Sequence, residues 1–255
     1  MGIKQVADRI INGVLLKPVG LKLGFRIGGD PVEDIIRLLR LRTIKWILDG
    51  GAYKGTFSRA LAKAFPQARI HAFEPTPASH ELLAKNVGTL SQVERHQLAL
   101  GALKGTANFF ANASPLTNSL RSSSEVGHQH FQKLVAGRSE FQVEVVALAD
   151  FARDREITGF DVVKLDLQGN EYDALLGMGD LVGRIQAALI EVQFVPLYEG
   201  APLFSDIEVL LRGYGLVLYQ LYELVRSPRD GRLLYGDALF VNPDVLADNS
   251  MRTAP

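Results

Sequence analysis

From residue 43 onward, short apolar runs alternate with segments whose apolar residues recur at helical spacing. The runs Thr43–Asp49, Arg69–Glu74, Asp161–Leu167 and Ala187–Gln193 have the length and apolar content of buried parallel strands. Parallel neighbours need a crossover connection, so strands that alternate with helices form right-handed βαβ units. The pattern therefore predicts an α/β fold built on a doubly wound, mostly parallel sheet.

Two strand patterns close this region, at Leu216–Leu224 and Tyr235–Val241. The turn residues of Ser227–Gly231 separate them, so the two strands must be antiparallel to each other. Before residue 43, apolar residues at helical spacing over Val6–Leu15 indicate an amphipathic helix. We therefore divide the chain into an N-terminal helical extension (1–42), an α/β domain (43–242) and a C-terminal tail (243–255).

The longest stretch without either period is Asn112–Glu140, which is rich in serine. Loops of this length inside a compact domain are uncommon and are usually functional or mobile. We interpret the segment as a mobile lid that orders over a bound substrate and excludes water. It carries His128 and His130, which either transfer a proton or are ordinary surface histidines.

The composition narrows the classes of function. Without cysteine, the chain can form no disulfide, thiolate metal site or cysteine nucleophile. Lys plus Arg and Asp plus Glu both number 28, so the formal net charge is zero, which disfavours a nucleic-acid binder. No run of about 18 apolar residues is present to span a bilayer, so we expect a cytoplasmic protein. The oligomeric state stays open.

The first strand pattern runs directly into the glycine-rich turn Asp49–Gly55. Glycines at a strand-to-helix turn let backbone N–H groups approach a ligand, although an ordinary turn has the same composition. Asp49 favours a ligand site over an ordinary turn. A dinucleotide-binding fingerprint carries glycine at that position, whereas a carboxylate there suits a cationic or amino-bearing ligand. Lys54 precedes Gly55, so the turn is not a phosphate-binding Walker loop.

Further acids end the other strand patterns. Glu74 follows the glycines by about twenty residues, where a nucleotide site places the acid that binds ribose hydroxyls; the alternative is a solvated acid. Asp166 and Glu191 lie at the carboxyl ends of two more strands, and Glu171 follows in the first turn of a helix. Asp166 and Glu171 could equally be acids that favour the positive end of that helix. Ligands of open α/β sheets bind at these strand ends.

The order of the motifs DGGAYKG, AFEPTP, KLDLQGNE, IEVQFVPLYEG and GDALFVNP resembles the FkbM-type S-adenosylmethionine-dependent methyltransferases over about residues 43–242. The resemblance implies a class I methyltransferase (Rossmann-like) fold, with seven strands and the last one antiparallel. It also implies S-adenosylmethionine as cofactor, and a hydroxyl of a sugar or polyketide-type natural product as methyl acceptor.

By the same resemblance, the methionine part of the cofactor is held by Asp49, Gly51, Ala52 and Gly55. Glu74 would bind its ribose, and Leu98 and Ala99 would flank the adenine. Asn118 and Ser119 would bind substrate or a cofactor carboxylate, unless they only cap a turn. Asp166 would face the transferred methyl.

A hydroxyl acceptor needs a positioned base. Asp166 is the first candidate and Glu191 the second, followed by His128 and His130. Gln168 departs from the family, which usually has glutamate there; an amide cannot ionise, which argues against an ionic or metal-ligand role. His71 and His96 fall inside strand patterns and are interpreted as structural. No metal-ligand spacing is present, and we assign no metal site.

Three alternatives remain. A methyltransferase of nucleic-acid bases would carry an Asn- or Asp-Pro-Pro-aromatic motif where this chain has Asp166-Leu167-Gln168-Gly169. A nucleotide-dependent dehydrogenase is disfavoured by Asp49 and by the missing glycine fingerprint. The third is a non-catalytic scaffold that keeps the cofactor fold, for which Gln168 is the one supporting feature, or a methyltransferase of another small acceptor.

Overall fold

A computed structural model of the protein describes residues 29–131 and 139–250. The strands in this part of the chain are β1 (Trp46–Gly50), β2 (Arg69–Phe73), β3 (Val93–His96), β4 (Ala99–Leu100), β5 (Gly105–Ala111), β6 (Ser139–Val146), β7 (Val162–Leu165), β8 (Ala187–Gln193), β9 (Val217–Arg226) and β10 (Leu233–Val241). The α-helices are α1 (Pro31–Leu39), α2 (Thr56–Ala64), α3 (Pro77–Val87), α4 (Glu125–Phe131), α5 (Leu148–Arg153), α6 (Glu171–Met178), α7 (Phe204–Gly213) and α8 (Pro243–Ser250). Short 3₁₀ helices occupy Pro115–Thr117 and Gly179–Arg184.

Seven strands form one sheet in the order β3-β2-β1-β7-β8-β10-β9. The neighbours from β3 to β8 are parallel, whereas β10 is antiparallel to both β8 and β9, between which it is inserted. This arrangement confirms the predicted doubly wound sheet with an antiparallel last strand. A second sheet of three strands, β4-β6-β5, lies beside it.

The large sheet is covered on both faces, which explains its apolar strands. Neighbouring residues such as Ile47 and Leu48 point to opposite faces, and each joins a different apolar cluster. All seven residues of β8 are buried, and this strand begins and ends where the apolar run predicts. A strand in the middle of a two-sided core is read most easily from sequence, because most of its positions on both faces are apolar.

The chain before residue 43 contributes to this core. Asp30 caps α1 by accepting a hydrogen bond from the Val32 amide at 2.8 Å, and Ile35, Leu38 and Leu39 are buried. The helix predicted over Val6–Leu15 lies outside the described residues. Within the described residues, no helix combines the length and apolar character needed to cross a bilayer.

The segment predicted to be aperiodic is partly regular. It contains the 3₁₀ helix Pro115–Thr117, the helix α4 and the first residues of β6, so these parts are regular although the sequence shows no periodicity there, and residues 132–138 lie outside the described residues. β-Bridges join Phe110 to Ser119 and Ser123 to Tyr198. A two-turn helix rich in polar residues shows too little periodicity to be recognised in one sequence. Whether the segment moves as a lid stays a prediction.

Candidate active site

A cavity of about 380 Å³ opens where the parallel strands end. It lies at the point where the strand order reverses, with β2 on one side of β1 and β7 on the other, which is the usual ligand position in an open α/β sheet. Most of its wall is apolar. The polar side chains that line it include Glu74, Asn118, Asp166, Gln168, Glu191, Gln193 and Tyr198.

The glycine turn forms one part of the wall, and its glycines are required by close packing. Gly51 has a φ of 70°, and a Cβ built there would lie 2.0 Å from the carbonyl oxygen of Asp166. Gly55 has a φ of 75°, and its Cβ would lie 2.7 Å from Val87. Of the turn, Gly51 and Tyr53 line the cavity, whereas Ala52 and Gly55 do not; the Ala52 amide donates to the Phe73 carbonyl at 2.9 Å. The turn thus fixes the first strand end against the Asp166 backbone.

Asp49 lies beneath this turn. The prediction that its carboxylate faces the ligand is wrong, because Asp49 does not line the cavity. Its side chain is fully buried, and Oδ2 accepts hydrogen bonds from the Ser58 amide (3.2 Å) and hydroxyl (2.6 Å). Its Oδ1 has no hydrogen-bond partner within residues 29–131 and 139–250 and lies 3.7 Å from Nζ of Lys164. A buried carboxylate with one unbonded oxygen is costly unless a cation compensates it, so Asp49 keeps positive charge close to the turn.

Glu74 lines the cavity at the end of β2, as its spacing predicts. Its Oε2 accepts from the Tyr53 amide at 3.1 Å, and its Oε1 accepts from the Thr76 amide at 3.0 Å and hydroxyl at 2.5 Å. These contacts fix the carboxylate, while each oxygen retains capacity for a further donor. The Glu74 side chain is therefore a rigid acceptor for ligand hydroxyl groups.

Leu98 and Ala99 line an apolar part of the cavity together with Phe109. Asn118 also lines it, and its Oδ1 accepts from the Asn112 amide at 2.8 Å. Ser119 is buried behind the wall, where its hydroxyl donates to the Gln168 carbonyl at 2.7 Å. The two polar residues therefore have different positions: Asn118 can touch a ligand, whereas Ser119 supports the backbone at Gln168.

At the other side of the glycine turn, Gln168 connects two acids. Its Nε2 donates to Oδ1 of Asp166 at 2.8 Å and to the two oxygens of Glu191 at 3.0 and 2.9 Å. Its Oε1 accepts from the hydroxyl of Tyr198 at 2.7 Å. Gln168 has a φ of 55°, an unusual left-handed conformation for a residue other than glycine, and a sign of local constraint. The amide thus takes the place between two carboxylates where a third acid would be repelled.

Lys164 and Glu171 support this cluster from behind. Nζ of Lys164 lies 3.4 Å from Oδ2 of Asp166 and donates to the Gly51 carbonyl at 2.7 Å. The Glu171 carboxylate accepts from the backbone amides of Leu167 (2.6 Å) and Gly169 (3.0 Å). Lys164 therefore joins the glycine turn to Asp166, and Glu171 fixes the loop that contains Leu167 and Gly169.

Burial makes ionisation costly for the acids of this cluster. It raises the pKa of Glu191 well above its usual range, and repulsion from Asp166 and Glu171 adds to the effect. Burial likewise raises the pKa of Asp237 to about 7, and that of Glu171 to about 7 against the backbone hydrogen bonds it accepts. Burial alone would lower the pKa of Lys164, but the carboxylates of Asp166 and Asp49 outweigh it, and the net shift is upward. Acids with different proton affinities side by side are typical of acid–base sites.

The two candidate histidines are not brought to the cluster. His128 is exposed on α4, and neither His128 nor His130 lines the cavity; Gly127 and Phe131 of the same helix do. Gly127 and Phe131 are four positions apart and so share one face of the helix, which a prediction of an irregular loop cannot anticipate. We therefore do not retain these histidines as base candidates.

Three residues at or near the site were not recognised from the sequence. Lys164 carried a usable signal, because it is an ionisable residue inside an otherwise apolar strand and buried lysines are rare. Gln193 ends β8, lines the cavity and has a buried Nε2 without a hydrogen-bond partner among the described residues. Asp237 faces Glu191 across the β8–β10 pair, and only the strand register reveals this.

Comparison with known proteins identifies the family of the chain. The family profile described as the methyltransferase FkbM domain matches residues 49–218, more than half of the sequence. The chain is 29% identical over 189 residues to Methyltransferase 1 of Beauveria bassiana, covering 68% of this chain and 72% of that protein. It is 25% identical over 178 residues to the 2-O-methyltransferase NoeI of Sinorhizobium fredii, covering 67% and 72%.

Among solved structures, a precorrin-6y C5,15-methyltransferase of Geobacter metallireducens is similar with a TM-score of 0.45 and 11% identity, covering 83% of this chain and 88% of that one. The match to the family begins at the carboxyl end of β1, stops at the start of β9, and includes Glu74, Asp166 and Glu191 of the cavity wall. S-adenosylmethionine is the cofactor of this chain. The chain belongs to the FkbM family of class I S-adenosylmethionine-dependent methyltransferases.

Proposed function

We propose that this methyltransferase transfers the methyl group to a hydroxyl oxygen of a small molecule, of the sugar or polyketide-type natural-product class. The observation that carries the proposal is the pair of acids, Asp166 and Glu191, linked by Gln168 on the cavity wall beside the glycine turn. A hydroxyl acceptor loses a proton during methylation, and a carboxylate at this place can receive it. The name of the relative NoeI, a 2-O-methyltransferase, is in line with oxygen as the acceptor atom.

The residues present fit the cofactor. Glu74 offers fixed carboxylate oxygens for ribose hydroxyls, and Leu98 and Ala99 offer apolar surface for the purine. We assign Asn118 to a polar edge of the ligand. Gly51 would act at the methionine end by letting the backbone approach the cofactor. Asp49 does not line the cavity, so its role would be indirect: together with Lys164 it would set the charge behind the glycine turn.

Ala52, Gly55 and Ser119 receive indirect roles, because none of them lines the cavity. Ala52 connects the glycine turn to β2 through its amide, and Gly55 allows α2 to begin against α3. Ser119 holds the Gln168 carbonyl. Substitutions at these positions should act through the shape of the site.

The chemistry assigned to the chain is mainly alignment and proton transfer. When bound, S-adenosylmethionine supplies a methyl group on a positively charged sulfur. Asp166 would accept the acceptor's hydroxyl proton late, as the new C–O bond forms, because a free hydroxyl is far less acidic than a carboxyl group. Glu191, whose pKa is raised by burial, would hold its own proton, and Gln168 would keep the two acids apart and oriented.

The acceptor end of the cavity, away from Glu74, combines aromatic surface with hydrogen-bonding groups. Tyr198, Tyr235 and Phe131 line it, and Gln193 presents an amide nitrogen that has no hydrogen-bond partner in the described part of the chain. Rings stack on the apolar faces of sugars and polyketides, while the amide can donate to one of their oxygens. Tyr219 and Tyr222, by contrast, do not line this cavity.

The test is transfer of an isotopically labelled methyl group from S-adenosylmethionine to a panel of sugars and hydroxylated polyketides. We expect one class of acceptor to gain one methyl group in a linkage that survives mild alkali, as an ether does and an ester does not. Calorimetric titration with S-adenosylmethionine runs in parallel. Transfer to nitrogen, carbon or a carboxyl group would contradict the proposal, and cofactor binding without turnover on any acceptor would favour the scaffold alternative.

A further inference from the structure

We propose that His71, Glu94 and His96 form a binding site for one divalent transition-metal ion, best matched by Zn²⁺, at the outer edge of the large sheet. β3 is the edge strand, and it pairs with β2 so that His71 lies opposite Glu94 and Phe73 opposite His96. Side chains two positions apart share a face, so the three ligands point to the same side. None of them lines the cavity, and the site is independent of the proposed function.

The ligand atoms already lie at near-coordination spacing. Nδ1 of His71 and Nε2 of His96 are 3.0 Å apart, and each is 3.7 Å from an oxygen of Glu94. Zinc binds nitrogen and oxygen at about 2.0–2.2 Å, so two ligands of a tetrahedral ion are about 3.3 Å apart. Movements of a few tenths of an ångström would thus complete a three-ligand site, with the fourth position left to water.

The protonation states also suit a metal. Burial lowers the pKa of His71 to about 4 and that of His96 to about 3, so both rings are neutral at pH 7 and can offer a lone pair. Without an ion, only one of the two facing nitrogens can donate the hydrogen bond between them. Glu94 has a side chain that is 54% exposed, which gives an ion access from solvent.

Two neighbouring groups limit the affinity. The guanidinium of Arg155 stacks on Phe151 at 4.0 Å and lies 3.9 Å from Glu94, so it competes for the carboxylate and repels a cation. Nε2 of His71 is buried and has no hydrogen-bond partner among the residues that the structure describes. Loss of such an outer hydrogen bond weakens metal sites by about 10–100-fold. We therefore expect micromolar rather than nanomolar binding.

This inference revises the sequence interpretation, which assigned no metal site and treated His71 and His96 as structural. The two histidines are 25 positions apart in the chain, and no metal-ligand motif has that spacing. Only the pairing of β2 with β3 brings them together. Their aromatic surroundings, in which His71 stacks on Trp46 and His96 on Phe73, hold the rings in place.

The experiment uses the full-length, untagged protein, titrated with Zn²⁺ by calorimetry and with Co²⁺ by visible absorption. We expect one ion per chain and the intense absorption of four- or five-coordinate cobalt. Glu94→Gln should weaken binding at least 10-fold, because an amide is a poor ligand, and Arg155→Gln should tighten it, because a competing cation is removed. His128→Ala, which alters an exposed histidine elsewhere, is the matched control and should bind like the parent.

Both Glu94 and Arg155 are surface-accessible, so these variants should fold, and circular dichroism checks this. Absence of one-to-one binding in the parent would overturn the proposal. So would Zn²⁺ binding that Glu94→Gln leaves unchanged, or binding that is lost in Asp166→Asn, since the ion would then lie in the cavity. A variant His96→Gln that keeps the cobalt absorption would overturn it as well.

Discussion

Replacing Gly51 with alanine tests whether the glycine turn and Asp166 are packed as one unit. A Cβ at this position would lie 2.0 Å from the Asp166 carbonyl oxygen, well inside van der Waals contact. Gly231 provides a matched control, since it has a similar φ of 76° against 70°, yet its Cβ would meet nothing within 4 Å. The two substitutions therefore share the backbone strain but differ in the collision.

The magnitudes follow from these two terms. The left-handed conformation costs a non-glycine residue about 1–2 kcal/mol, which applies to both variants. Relieving the collision at Gly51 requires the Asp166 backbone to move by about 1 Å, and overpacking of this kind costs a further 1–3 kcal/mol or so. We expect Gly51→Ala to lose about 2–5 kcal/mol of unfolding free energy and Gly231→Ala about 1–2 kcal/mol. A displacement of about 1 Å at the reacting centre can also reduce turnover by about 10²-fold.

Urea denaturation of both variants gives the unfolding free energies, and calorimetric titration with S-adenosylmethionine gives the affinities. Gly51→Ala should lose cofactor affinity, while Gly231→Ala, in the turn between β9 and β10, should keep it. Equal destabilisation of the two variants together with unchanged cofactor binding in Gly51→Ala would refute the packing argument.

Three further substitutions test separate contacts. Glu74→Gln should weaken S-adenosylmethionine binding by about 1–3 kcal/mol in calorimetry, because one carboxylate oxygen that would accept ribose hydroxyls becomes a donor; unchanged affinity would contradict its ribose role. Tyr222→Phe should lower the unfolding free energy by about 1–3 kcal/mol, since its hydroxyl donates to the buried Asp34 at 2.7 Å, and urea denaturation measures this. Burial raises the pKa of Asp237 to about 7, so its proton stabilises the fold fully below the unfolded pKa of about 4, and this contribution is lost as pH rises through 7. Asp237→Asn should therefore gain stability relative to the parent between about pH 5 and pH 8, and a difference that does not depend on pH would contradict this.

The succession of strands and helices along the chain was predictable because each element has its own local signal. Buried runs such as Ala187–Gln193 are predominantly apolar, and glycine turns and prolines mark the element ends. The same holds for Glu74, whose place in the chain follows from the length of one βαβ unit. Residues that act through the end of a strand can thus be located from sequence alone.

The remaining parts of the site depend on contacts between distant segments. Asp49 has the predicted place in the chain, but the packing of Ser58 and Lys164 turns its carboxylate away from the cavity. From the sequence, Gln168 was the one feature that supported a non-catalytic scaffold, because the family usually has glutamate at this position. Its φ of 55° instead directs the amide between two acids, one of them 23 positions away. A single sequence contains no signal for such an orientation.

The most direct test of the proposed chemistry is the turnover of Asp166→Asn, measured with the acceptor found in the labelling screen. Asparagine keeps the size of the side chain and can still face Gln168, but it cannot take up a proton. We predict that turnover falls by about 10²–10⁴-fold while the dissociation constant for S-adenosylmethionine changes only a few-fold. Asp180→Asn, an exposed aspartate on the 3₁₀ helix after α6, should retain parental turnover. Turnover of Asp166→Asn at the parental rate would contradict the assignment of Asp166 as the base.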